Sequence, residues 1–122
     1  MDQDLNFQHR MAFAAGAKTS YFQVPYRCTL RKVSGIVQAD PGDAETVTVT
    51  TEPTVGGTSA ALGTLTFGTD IAAGAVGTWA ADATTGATVI EKGEFIKFVT
   101  SAGADADLDL NIELDPYART TE

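Results

Sequence analysis

Cysteine, histidine, tryptophan and positive charge are all scarce in this sequence of 122 residues. Cys28 is the sole cysteine, which excludes an intrachain disulfide and any cysteine-based zinc cluster within one chain. Apolar and polar residues alternate in Tyr26-Arg27-Cys28-Thr29-Leu30, so the thiol is expected to be buried and inert. His9 is the only histidine and lies between Gln8 and Arg10. A histidine-based triad would need that one residue, and no Gly-x-Ser-x-Gly turn accompanies it. A Gly-rich phosphate loop ending in Lys-Ser/Thr and a dinucleotide fingerprint are missing too. His9 is therefore read as a solvent or interface residue, and the chain as no enzyme. With eight Lys and Arg against sixteen Asp and Glu, the formal net charge is −8, which argues against a general nucleic-acid binder. No run of about 18 apolar residues occurs, so no membrane-spanning helix is expected. The acidic start Met1-Asp2-Gln3-Asp4 does not read as a secretory signal.

What is present is β-forming and turn-forming. Hydrophobic residues make up 43% and charged residues 20%, a balance that suits one folded domain. Thr and Ala dominate, with twelve Gly and four Pro. Between Ala106 and Asp115, Leu108, Leu110, Ile112 and Leu114 alternate with Asp107, Asp109, Asn111 and Glu113, which predicts a strand with one core face. Pro116 ends it. Residues 94–100 follow the turn signal Glu91-Lys92-Gly93 and are apolar on both faces. Ser101–Asp105 between them reads as a hairpin loop, with Gly103 at positive φ. Further strands are expected at 20–24, at 27–37 with Gly35 as a bulge, at 45–51 after the turn Asp40-Pro41-Gly42-Asp43, at 62–67 and at 87–90. A stretch around 6–14 brings the count to about eight. Residues 71–81 are rich in Ala and Gly and read as a loop anchored by Trp79. The expected fold is all-β, an antiparallel β-sandwich of jelly-roll type with an extended N-terminal arm. Residues 1–18 form that arm, or else a first strand, and 19–122 a single domain.

Charge is uneven along the chain. Residues 1–32 hold five cations against two acids; the remaining ninety hold three against fourteen. Either the two parts of the surface meet different surroundings, or solvating charges happen to fall late. Leu5, Phe7, Met11 and Phe13 recur with mostly even spacing, suited to an arm laid on an apolar groove or to a strand within the sandwich. Asp105, Asp107 and Asp109 share one strand face, but the EF-hand pattern fails at Leu110 and Pro116. The ladder is read as solvated or paired with Lys and Arg, and as protection of an edge strand, so neither metal nor cofactor is expected. Trp79 is the one candidate for a sugar-stacking platform; a lone Trp is more often a core or interface anchor.

Phe22-Gln23-Val24-Pro25-Tyr26-Arg27-Cys28-Thr29-Leu30-Arg31-Lys32-Val33 resembles the opening strand of small tailed-bacteriophage virion proteins, in which an apolar-Pro entry leads into a T-[LI]-x-x-V strand. Val89-Ile90-Glu91-Lys92-Gly93-Glu94-Phe95-Ile96-Lys97-Phe98 resembles their V-x-x-G-[DE]-x-[IL] step, and Asp115-Pro116 their strand end. Over about residues 20–117 the chain resembles the phage capsid decoration (cement) proteins of jelly-roll type. The resemblance implies a virion protein assembled in the host cytoplasm that binds the capsid exterior. It would bridge major capsid proteins, often as a homotrimer, and act without chemistry. Phe7, Arg10, Met11, Phe13, Lys18 and Arg31 are then the expected capsid or subunit contacts. The arm itself carries no family motif, so its docking role rests on charge and spacing. Two rivals remain. One is a trimeric fibre-head or baseplate module binding host carbohydrate through Trp79. The other is a sugar-cleaving enzyme, for which Asp82, Glu91 and Glu94 offer no distinguished carboxylate pair.

Overall fold

The computed structural model describes residues 6–39, 45–68, 74–82, 88–103 and 105–116. Among them there is no helix. Eight strands occur in chain order: β1 Asn6–Phe13, β2 Thr19–Gln23, β3 Cys28–Val37, β4 Glu45–Glu52, β5 Ala60–Phe67, β6 Thr78–Ala81, β7 Phe95–Thr100 and β8 Ala106–Pro116. They form two antiparallel sheets, one ordered β1-β8-β3 and the other β2-β7-β4-β5-β6.

Alternation decides which side of each strand is dry. Leu108, Leu110, Ile112 and Leu114 of β8 are fully buried, and so are Val33 and Val37 of β3. Facing them from the other sheet are Val47, Val49, Leu62, Leu65, Ile96 and Phe98, equally buried. Phe13 and Phe67 meet edge to face with ring centroids 5.7 Å apart. Burying each such aliphatic or aromatic side chain contributes about 1.5–3 kcal/mol, so this inter-sheet layer is the main source of stability. The arrangement is that of a β-sandwich.

Several sequence expectations need correction. β7 and β8 do not form a hairpin: β7 pairs with β2 and β4, and β8 with β1 and β3. Residues 101–103 begin a corner between the sheets, tied down by Thr100 N–H to Lys18 O at 2.9 Å and Ser101 N–H to Thr46 O at 2.9 Å. Gly103 is not among the glycines at positive φ, which are Gly56, Gly74 and Gly93. β8 is the central strand of its sheet, so its acidic ladder protects no edge. The bulge in β3 falls at Arg31, between Leu30 and Lys32, and not at Gly35. Thr88–Ile90 is no strand and makes one bridge, Ile90 to Cys28. The expected loop around Trp79 contains β6 instead. Residues 6–13 are a strand in the sheet and not a free arm, their register with β8 continuous from Asn6↔Glu113 to Phe13↔Ala106. Residues 1–5 and the turn 40–43 lie outside the described residues.

Candidate docking face

The outer surface of the three-stranded sheet carries a group of interacting polar side chains. Its rows follow from the register. Arg10, Asp109 and Ile36 lie side by side across β1, β8 and β3, and Gln8, Asn111 and Ser34 form the next row. Arg10 Nε donates to Asp109 Oδ1 at 2.8 Å, and Gln38 Nε2 donates to Asp109 Oδ2 at 2.8 Å. Gln8 Nε2 donates to Asn111 Oδ1 at 3.1 Å. At the far end Arg31, raised on the β3 bulge, pairs with Asp115, whose hydrogen bond and charge hold the guanidinium still more firmly protonated than usual. A shallow open concavity lies among Gln8, His9, Arg10, Ile36 and Asp109.

Within this polar field stands an apolar spot. Ile36 is 42% exposed and Val76 is 65% exposed, and the two are joined by an antiparallel bridge. Ile36 occupies the outward phase of β3, between Ser34 and Gln38, where alternation calls for a polar residue. A small apolar centre with a hydrogen-bonded rim is the layout of a protein-binding surface. The sequence reading missed both residues. The signal was there, because an isoleucine in the wet phase of an otherwise regular strand is a departure from pattern.

The expected contact residues do not converge. Met11 (9% exposed) and Phe13 (1%) belong to the core. Phe7 is half-buried, its ring 5.3 Å from that of Phe22 and 6.2 Å from that of Tyr26, on the side of the sandwich between β1 and β2. Lys18 is exposed beyond β1, where its backbone N–H donates to Thr100 Oγ1 at 3.0 Å. Arg31 lies at the opposite end of the sheet. Of the expected contacts, Arg10 alone borders the concavity.

The charge imbalance along the chain is partly offset in three dimensions. Arg10, Arg27 and Arg31 from the first part of the chain pair with Asp109, Glu91 and Asp115 from the second. Such exposed pairs contribute about 0–1 kcal/mol each, but they leave those arginines already neutralised.

Trp79 points inward from β6, opposite Leu65, with its ring over Gly63 and against the core. A sugar platform needs that ring face in solvent. The indole N–H is buried without an acceptor among the described residues.

On the outer side of the five-stranded sheet, Glu52 accepts from Lys97 Nζ at 3.0 Å and from Gly56 N–H at 3.0 Å. The Lys97 hydrogen bond chiefly holds this carboxyl below its ordinary range and raises the lysine in turn. Both acceptor oxygens are used, so the cluster pins the turn after β4. The described residues contain no group of three or more His, Cys, Asp or Glu able to hold a metal. No protein-family model, curated protein or solved structure matches this chain.

Proposed function

We propose that this chain is a non-enzymatic virion protein of the capsid decoration kind, which binds the exterior of an assembled head and braces neighbouring major capsid proteins. The reading starts from the resemblance of residues 22–33 and 89–98 to phage virion proteins. The strand pairing supports the jelly-roll form of the sandwich. β1 pairs with β8, β2 with β7 and β4 with β5, while the segment leading into β6 bridges β3. Such pairing is what a long antiparallel ribbon rolled up on itself, the jelly-roll wrap of two Greek keys, would give.

The observation that carries the docking role is the Ile36–Val76 spot and its rim of paired charges. Burial of this spot against a shell supplies the attraction, and the rim fixes orientation. A module that recognises the assembled lattice and not free subunits stabilises the lattice by mass action. A rigid two-layer sandwich suits that work. The resemblance adds copies grouped about a local threefold axis and assembly in the host cytoplasm.

The test mixes purified protein with heads that lack it and measures co-sedimentation and heat resistance of the particle. Binding is expected to be abolished or strongly weakened in Ile36→Asp. It should depend only shallowly on salt, because the rim arginine, Arg10, is already paired with Asp109 within the chain. Absence of co-sedimentation, or binding untouched by Ile36→Asp, overturns the reading.

A further inference from the structure

The two sheets end in four strand edges, and three of them are protected. The outer edge of β3 is covered twice: Cys28 and Ile90 exchange backbone hydrogen bonds of 2.9 and 2.7 Å, and Gly77 N–H reaches Gly35 O at 3.0 Å. β2 is five residues long, and Val24 N–H turns to Glu94 O at 2.9 Å just before Pro25. β6 has four residues. Short, covered or proline-ended edges are how proteins avoid unwanted strand pairing.

Among the described residues, β1 shows none of these devices. It runs eight residues, without proline or bulge, and among the described residues it pairs with β8 alone. Its one ionised side chain, Arg10, is already held by Asp109. Beside this edge lies the half-buried ring cluster Phe7, Phe22 and Tyr26.

We infer that the outer edge of β1 pairs antiparallel with the β1 of a second copy of this chain, about a twofold axis. The sequence of the strand selects the register. A slip of one residue would turn the core face outward, so only registers that keep inward residues opposite inward residues are open. With His9 opposite His9, Phe7 faces Met11, Asn6 faces Ala12 and Gln8 faces Arg10, each pair occurring twice, as twofold symmetry requires. Sliding two residues one way sets Arg10 against Arg10. Sliding two the other way replaces the Phe7–Met11 pair by Phe7–His9 and leaves Met11, Ala12 and Phe13 without a partner in the facing β1, against Phe13 alone in the favoured register. The favoured register joins the two three-stranded sheets into one of six and brings the second copy over Phe7, Phe22 and Tyr26. This contact is made by the backbone edge of β1, whereas the docking role is carried by Ile36 and Val76, and self-association of the isolated chain is read without capsids. It groups copies by twos where the resemblance implies threes.

Sedimentation equilibrium of the full chain from about 1 to 200 µM tests it, the range in which a contact of micromolar strength is populated. The expected mass rises from that of one 12.7 kDa chain to that of two. Gln8→Lys sets a lysine opposite Arg10 twice per dimer and should weaken association at least about tenfold, since like charges directly opposite are destabilising. Gln8→Glu should associate at least as tightly as the parent. Circular dichroism checks that both variants keep their strands. His9→Cys tests the register, because directly opposed residues have Cα atoms about 4.5–5.5 Å apart, within disulfide reach. Mild oxidation should give a cross-linked pair of chains, with buried Cys28 adding no background. A single-chain mass throughout, a three-chain mass, or association indifferent to Gln8→Lys overturns the inference.

Discussion

Gly35 lies opposite Leu110 in the register, and Leu65 approaches it from the other sheet. A methyl group there would sit 2.9 Å from Leu65 Cδ2 and 3.1 Å from Leu110 Cδ2, both flexible chain ends. Gly35→Ala is therefore expected to cost about 1–3 kcal/mol by overpacking, read from the urea midpoint. Gly63→Ala should cost more, since its methyl would meet the rigid Trp79 ring and, at 2.7 Å, the Ala80 carbonyl. Cys28 is fully buried and burial pushes its thiol up to about 11. It should resist alkylation in the native protein and react at once in denaturant, followed by mass spectrometry. His9 stacks on Phe98 at 5.3 Å and is hydrogen-bonded to Ser20 Oγ at 2.6 Å. Burial lowers its pKa below 6.5, so the folded form binds a proton less readily than the unfolded form. Its contribution to stability is complete above about pH 6.5 and is lost as the pH falls below that value. Melting temperature should decline from neutral towards mildly acid pH, and His9→Gln should flatten that decline. The Glu52 carboxyl adds a second loss below about pH 4.5, where the unfolded chain takes up the proton first.

At the scale of elements, β8 holds its sheet together. It is hydrogen-bonded on both sides, and its four inward aliphatic residues are fully buried. Leu110→Ala is expected to cost about 2–5 kcal/mol in chemical denaturation, with little relief by collapse, because neighbours on both strands fix the cavity walls. β8 was also the most legible element, since strict alternation over ten residues leaves one phase for the core. The turn before β7 was legible for a similar local reason: Gly93 takes positive φ and Glu94 N–H closes on Glu91 O at 3.0 Å. What alternation could not say is whether β7 and β8 lie beside each other or face each other across the core. Both arrangements bury Ile96, Phe98, Leu108 and Leu110. The partners that decide it, β1 and β3 on one side and β2 and β4 on the other, are far away in sequence. β6 escaped detection because four residues, Thr78-Trp79-Ala80-Ala81, are too few for a period to show.

At the scale of the whole molecule, the first of the described strands pairs with the last. Asn6 opposite Glu113 is a contact between residues near opposite ends of the described chain. Topologies of this kind fold slowly, on the order of milliseconds to seconds, so stopped-flow refolding of Trp79 emission should show no microsecond-complete phase. Composition and alternation by themselves determined an all-β chain, its two-faced strands, the core face of β8 and the burial of Cys28. These are local properties, set by side chains two positions apart sharing a face. Only the tertiary structure decided which strands share a sheet, that three arginines of the first part of the chain pair with acids of the second, and that Ile36 and Val76 stand together outside. Each of those depends on segments brought together from across the sequence, and no window along the chain contains both members of the pair.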